Sequence, residues 1–155
     1  MEKKMKSILT HIKGGILLPP QLKNNGAAAA NTYIDCAGLA GVLVLGCVGT
    51  TDAALGSTAS STPPYLEECN TTDGSYTKIP SSDLAAVISA TDDTKLFGWF
   101  VDRTVGVRKR YLEVNAPTLA NGTTGANLVI IAIGFPSAQL PVTATQMGLK
   151  ELICV

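Results

Sequence analysis

Two stretches constrain this chain more than any others: "GVLVLGCVG" at 41–49 and "NLVIIAIGF" at 127–135, each apolar at nearly every position. Val recurs in the first and Ile in the second, and branched side chains suit a pleated strand better than a helix. Successive side chains of a strand point to opposite faces, so an unbroken apolar strand is apolar on both. A sheet with one wet face alternates instead. Both stretches therefore require cover on two sides. A second sheet supplies one side, and a neighbouring subunit or the chain's own arm supplies the other. The longest apolar run, 37–49, has 13 residues, short of the roughly 20 that a membrane-spanning helix needs.

The rest of the chain from Thr32 onward also reads as β. "TYIDCAG" (32–38), "PYLEECN" (64–70), "KLFGWFVD" (95–102) and "RKRYLEVNAP" (108–117) have strand composition, and "ELICV" (151–155) is expected to close the chain as a last strand. Between them lie turn signals: the loose "GSTASSTPP" loop, "TTDGSY" (71–76) with Asp-Gly at its centre, and "NGTTGA" (121–126). Short helical turns are expected at 51–55 and 81–88, where Ser, Thr or Asp can cap them. Six or seven strands separated by turns predict an all-β single domain, a sandwich or a barrel. With 155 residues, such a domain buries roughly 70% of its unfolded surface and needs no staples.

Residues 1–31 differ in character. Four lysines fall in the first 13 positions, followed by Gly-Gly, Pro19-Pro20 and "NNGAAAAN". The prolines force an extended piece. Before them, Met5, Ile8, Leu9 and Ile12 recur at helical spacing, on a turn too short to bury its apolar face alone. The reading is an extended N-terminal arm over 1–31, a domain over 32–155, and a C-terminal tail from about 141. The arm offers Lys3, Lys4, Lys6, Ile8, Leu9, Ile16, Leu17 and Leu18 as contacts to a partner or a neighbouring subunit. The lysine-led start is not read as an export signal, because His11, Lys13 and two glycines interrupt the apolar run. The expectation is a soluble protein without export.

Twelve cations balance twelve anions, and only 15% of residues are charged, against roughly 25% in an average domain. A protein that grips phosphates is normally basic, and a free monomer normally keeps its net charge away from zero. Charge-poor and neutral, this chain suits a surface hidden against partners. Cys36, Cys47, Cys69 and Cys154 include no CxxC pair, and the single histidine, His11, stands far from them, so no metal site and no cofactor are expected. They read as buried thiols. No catalytic set is expected either. A triad lacks its histidine in the domain, Asp92–Asp93 reads as a polar turn, Glu67 and Glu68 point to opposite faces, and Gly122 and Gly125 do not open a helix as a phosphate cradle does.

"RTVGVRKRYLEV" (103–114) lines up Arg108, Lys109 and Arg110 before an apolar run. Strand alternation splits these cations between faces, and no aromatic platform accompanies them, which argues against nucleic acid. The expectation is a strand rim that pairs with Asp102 or Glu113, or that sets Arg108 and Arg110 against an acidic partner.

The serial order of these pieces resembles the small capsid decoration proteins of tailed bacteriophages, also called cement or auxiliary head proteins. The likeness runs from Asp35–Gly38 through "VLVLGCVG", "TDA" (51–53), "TTDGSYTKIPSSDL" (71–84), "DDTKLFGWFVD" and "KRYLEV" to "GANLVIIAIGFPSAQLPV", ending near Pro141. The resemblance implies a β-sandwich or jelly-roll-like subunit outside an icosahedral head. It implies a non-enzymatic role, cementing neighbouring major capsid subunits of the expanded shell. It also implies a homotrimer, with a dimer as the alternative, and neither nucleic acid nor membrane as partner. The protein would be made in the bacterial host cytoplasm and reside on the virion surface. The competing expectations are a neck, tail or head-fibre component, and a β-sandwich module that binds carbohydrate or a host surface.

Overall fold

Alternating burial along one long strand separates the two sides of the main sheet: Ala126, Leu128, Ile130 and Ala132 are buried, while Asn127 and Ile131 between them are exposed. The computed structural model describes residues 12–23, 26–27, 32–52, 54–55, 62–85, 88–119, 122–135 and 149–154. Their strands, in chain order, are β1 (Lys13–Lys23), β2 (Gly26–Ala27), β3 (Ile34–Asp35), β4 (Gly41–Thr51), β5 (Leu66–Cys69) and β6 (Thr77–Lys78), then β7 (Leu96–Asp102), β8 (Tyr111–Val114), β9 (Thr118–Leu119), β10 (Ala126–Phe135) and β11 (Leu149–Cys154). One sheet runs β1-β10-β4-β7-β11, antiparallel except for β11, which lies parallel to β7. A second, antiparallel sheet runs β3-β8-β5-β6, and β2 pairs with β9. The chain is an all-β sandwich.

The core lies between the two larger sheets. Val42, Val44, Phe97, Trp99 and Ile130 from one sheet meet Ile34, Leu66, Leu112 and Val114 from the other. Trp99 is fully buried, donates its indole N–H to the Ser82 carbonyl at 2.7 Å, and stacks edge-on against Phe97 at 5.6 Å. Burying a tryptophan this way satisfies its one polar group. Gly46 makes room for that pair: a Cβ there would stand 2.2 Å from the Phe97 ring.

The second half of the expected arm belongs to the domain. Lys13–Lys23 pairs along β10, and register irregularities between Ile16 and Leu18 and between Leu18 and Gln21 break strict alternation. The first break turns two consecutive residues inward, so Leu17 and Leu18 are both fully buried in the protein's own core. They are not surface contacts, contrary to the sequence expectation, whereas Ile16 faces outward and is 52% exposed. Lys3, Lys4, Lys6, Ile8 and Leu9 lie outside the described residues. As the edge strand, β1 tolerates Pro19 and Pro20, which lack N–H donors and so hinder the addition of a further strand there.

The closing strand is present as β11. The helical turns expected at 51–55 and 81–88 are replaced, among the described residues, by an isolated bridge between Leu55 and Ile88 and by a 3-10 turn at Ala90–Asp92. Long-range pairing prevails over the local capping signal, because burying Leu55 and Ile88 removes more apolar surface from water than one frayed turn would. Asp92 and Asp93 serve that turn. The Ser89 N–H donates to Asp92, and the Thr51 N–H donates to Asp93.

Candidate functional site

The outward face of the five-stranded sheet carries the side chains that made both long strands apolar throughout. Register places Leu43, Leu45 and Cys47 of β4 beside Ile133, Ile131 and Val129 of β10 on one side, and beside Phe100, Gly98 and Leu96 of β7 on the other. Leu43 and Phe100 are 8% and 7% exposed. Toward β1 the face opens, leaving Ile131 at 39% and Leu22 at 60% exposed along with Ile16. A groove of about 380 Å³ runs there, lined among others by Pro20, Leu22, Cys47 and Val129. The β1 segment lies beside β10 in the sheet and not across this face, so it does not provide the second cover that the sequence required.

The cations of the β7–β8 loop are positioned individually. The strand begins at Tyr111, so residues 108–110 precede it and strict alternation does not apply to them. Arg110 donates from Nε and Nη2 to the two carboxylate oxygens of Asp35, both at 2.9 Å, a fork that neither Asp102 nor Glu113 supplies. That bond, with a further N–H from Ala37, holds the Asp35 carboxyl far below its usual range, and Asp35 in turn raises the Arg110 guanidinium. Asp102 instead accepts the N–H and the hydroxyl of Thr104. Lys109 reaches the Thr77 hydroxyl at 2.9 Å. Arg108 has no hydrogen-bond or ion-pair partner among the described residues.

A third surface could not be found by reading along the chain. The outward side of β5 and β8 brings Tyr65, Glu67, Tyr111 and Glu113 together, with Glu67 directly opposite Glu113. Tyr33 stacks edge-on against Tyr111 at 5.1 Å, and the Lys78 ammonium sits 4.5 Å above the Tyr65 ring. Tyr76 folds over from the β5–β6 turn, and its hydroxyl is buried without a hydrogen-bond partner. All four tyrosines of the chain thus border this side of the second sheet. Glu113 is only 7% exposed. Burial, and then the facing Glu67, push its carboxyl up to about 7, while burial and then Glu113 push Tyr76 up to about 12. Glu67 and Glu68 do point to opposite faces, but Glu67 finds its carboxylate neighbour across the strand pair, 46 positions along the chain. Only the register reveals that pairing.

Two further expectations concern anions and metals. The "NGTTGA" turn does present converging N–H groups, but the anion they hold belongs to the protein. Thr123, Thr124 and Gly125 donate to the Asp52 carboxylate at 2.7–2.8 Å, which lowers its pKa. Among the described residues, no group of three His, Cys, Asp or Glu side chains is placed to hold a metal ion, and no helix is long and apolar enough to cross a membrane. Cys36, Cys47 and Cys69 are free thiols, and burial pushes Cys36 up to about 11. No protein-family model, curated protein or solved structure matches this chain.

Proposed function

We propose that this chain is a non-enzymatic structural protein of a bacteriophage virion. On this reading it binds the outer surface of the head and cements neighbouring major capsid subunits of the expanded shell. The observation that carries the reading is the outward face of the five-stranded sheet, where Ile16, Leu22 and Ile131 meet solvent on a neutral, charge-poor protein. An apolar face rimmed by polar groups marks an interaction surface. The resemblance in serial order to phage decoration proteins supplies the kind of partner: the major capsid protein, together with further copies of this chain in a homotrimer. Linked contacts to several capsid subunits add through effective concentration, so modest individual contacts suffice to hold a shell joint.

The test is co-sedimentation with expanded, protein-free heads of the source virus, counting bound copies. The expected result is saturation at hundreds of copies, on the order of one per local joint, with heads that resist heat better. Saturation at a dozen copies or fewer would assign the protein to a neck, tail or fibre base. A second reading has one observation in its favour. The tyrosines of the second sheet supply the aromatic groups that a carbohydrate- or host-surface module uses. Lys78 and Arg110 already lie over the Tyr65 and Tyr111 rings, which leaves Tyr33 as the open ring and ranks this reading second. Specific retention on a glycan array by a chain that ignores the heads would reverse the ranking.

A further inference from the structure

The β7–β8 loop carries a feature that the apolar sheet face does not explain. Val107 is 98% exposed and Val105 is 66% exposed, side by side on one tip with Gly106 between them at φ +71°. Single exposed apolar residues are common; two on one tip above a cationic hollow are a pattern. The hollow, about 500 Å³ and shallow, is lined among others by Asn70, Arg103, Val107, Arg108 and Arg110. Its base is stapled. The Arg103 N–H donates to the Ala40 carbonyl, Arg103 Nη1 donates to the Lys109 carbonyl, and the Lys109 N–H donates to the Glu68 carboxylate. The Asp102 carboxylate fixes Thr104. Donors remain unused: Arg103 Nε is buried without a partner, and the Arg108 guanidinium has none among the described residues.

We propose that the 103–110 loop is a preformed knob for an acidic, apolar segment of a partner protein, whose carboxylate enters the hollow while Val105 and Val107 pack against its apolar side chains. Charge complementarity selects the partner. Arg108 offers planar, charge-assisted donors that match a carboxylate, and Arg103 and Arg110 add positive charge to the lining. Because the base of the loop is already fixed, little ordering entropy opposes binding. A lipid surface fits less well, since two valines bury little area and the loop holds no aromatic anchor.

The experiment is an NMR titration of the isotope-labelled full chain with the blocked peptide acetyl-Leu-Glu-Leu-Glu-Leu-amide and its Gln twin. Expected are amide shifts confined to residues 103–110 and Asn70, saturating with a Kd of about 1 mM, at least about fivefold weaker for the Gln twin and for the Arg108→Ala and Val107→Ser variants. These side chains are exposed or at the rim, so both variants should keep the wild-type spectrum elsewhere. Absence of shifts at about 10 mM, equal affinity for both peptides, or unchanged affinity in both variants overturns the proposal. So does sedimentation with phosphatidylcholine vesicles containing about 30% phosphatidylserine that Val107→Ser abolishes, since that assigns the loop to a lipid surface. No phage head enters the titration, so its failure and failure of the particle reading are told apart.

Discussion

Replacing Glu113 by Gln should make the protein more stable at neutral pH and erase a pH dependence that the wild type shows. Glu113 sits on β8, almost wholly buried, opposite Glu67 and next to the Tyr76 ring. In the unfolded chain it titrates near its ordinary 4.5, and in the fold near 7. Between those values the native state retains a proton that the unfolded state has released, so stability falls as pH rises through this window and the loss is complete above about 7. At about 1.4 kcal/mol per tenfold, the shift corresponds to about 3 kcal/mol as an upper bound. Relaxation of the polar groups around the site, which raises the effective dielectric above that of a dry interior, reduces this to about 1–2 kcal/mol. Urea unfolding at pH 5, 6, 7 and 8 reads this directly. Glu113→Gln, an isostere without the charge, should flatten the wild-type decline and gain about 1–2 kcal/mol at pH 8. Subtracting the variant's profile also removes any contribution from His11. A wild-type profile that is level from pH 5 to 8, or a variant less stable than wild type at pH 8, would refute the reasoning.

Other perturbations probe the fold that carries these surfaces. Asp52→Ala removes the carboxylate that three N–H groups share at the 123–125 turn, so a lower melting temperature is expected at pH 7. Because the Asp52 pKa is lowered on folding from 3.8, the difference should shrink only as pH falls below that value; an unchanged melting curve at pH 7 would contradict the role. Gly46→Ala forces a methyl group against the Phe97 ring and should cost about 1–3 kcal/mol in urea unfolding, with the Trp99 fluorescence altered by the displaced ring. Ser82→Ala deletes a buried hydroxyl that accepts from the Leu66 N–H and donates to Ile79, with the Leu66 carbonyl a second acceptor. It should cost about 1–3 kcal/mol, because the Leu66 N–H loses its acceptor while the two carbonyls keep backbone donors, and hydrogen exchange at Leu66 should accelerate.

The sequence by itself determined the class of this fold, because apolar periodicity is a local property of the chain. The runs at 41–49 and 127–135 read as strands, and they became β4 and β10, adjacent in the larger sheet, with one face in the core and the other opening to solvent at Ile131. The strand at 95–102, the closing strand and the Asp-Gly turn were equally legible. Partner choice was not. Pro19–Pro20 reads locally as a break, yet β1 is an edge strand, where a missing N–H costs little. Leu17 and Leu18 look like alternate faces until a register break turns both inward. The meeting of Glu67 with Glu113, the fork between Asp35 and Arg110, and the capture of the 123–125 turn by Asp52 each join residues 46 to 75 positions apart. No window along the chain contains both members of such a pair. Strand pairing alone brought them together, because it joins distant segments that no local pattern relates.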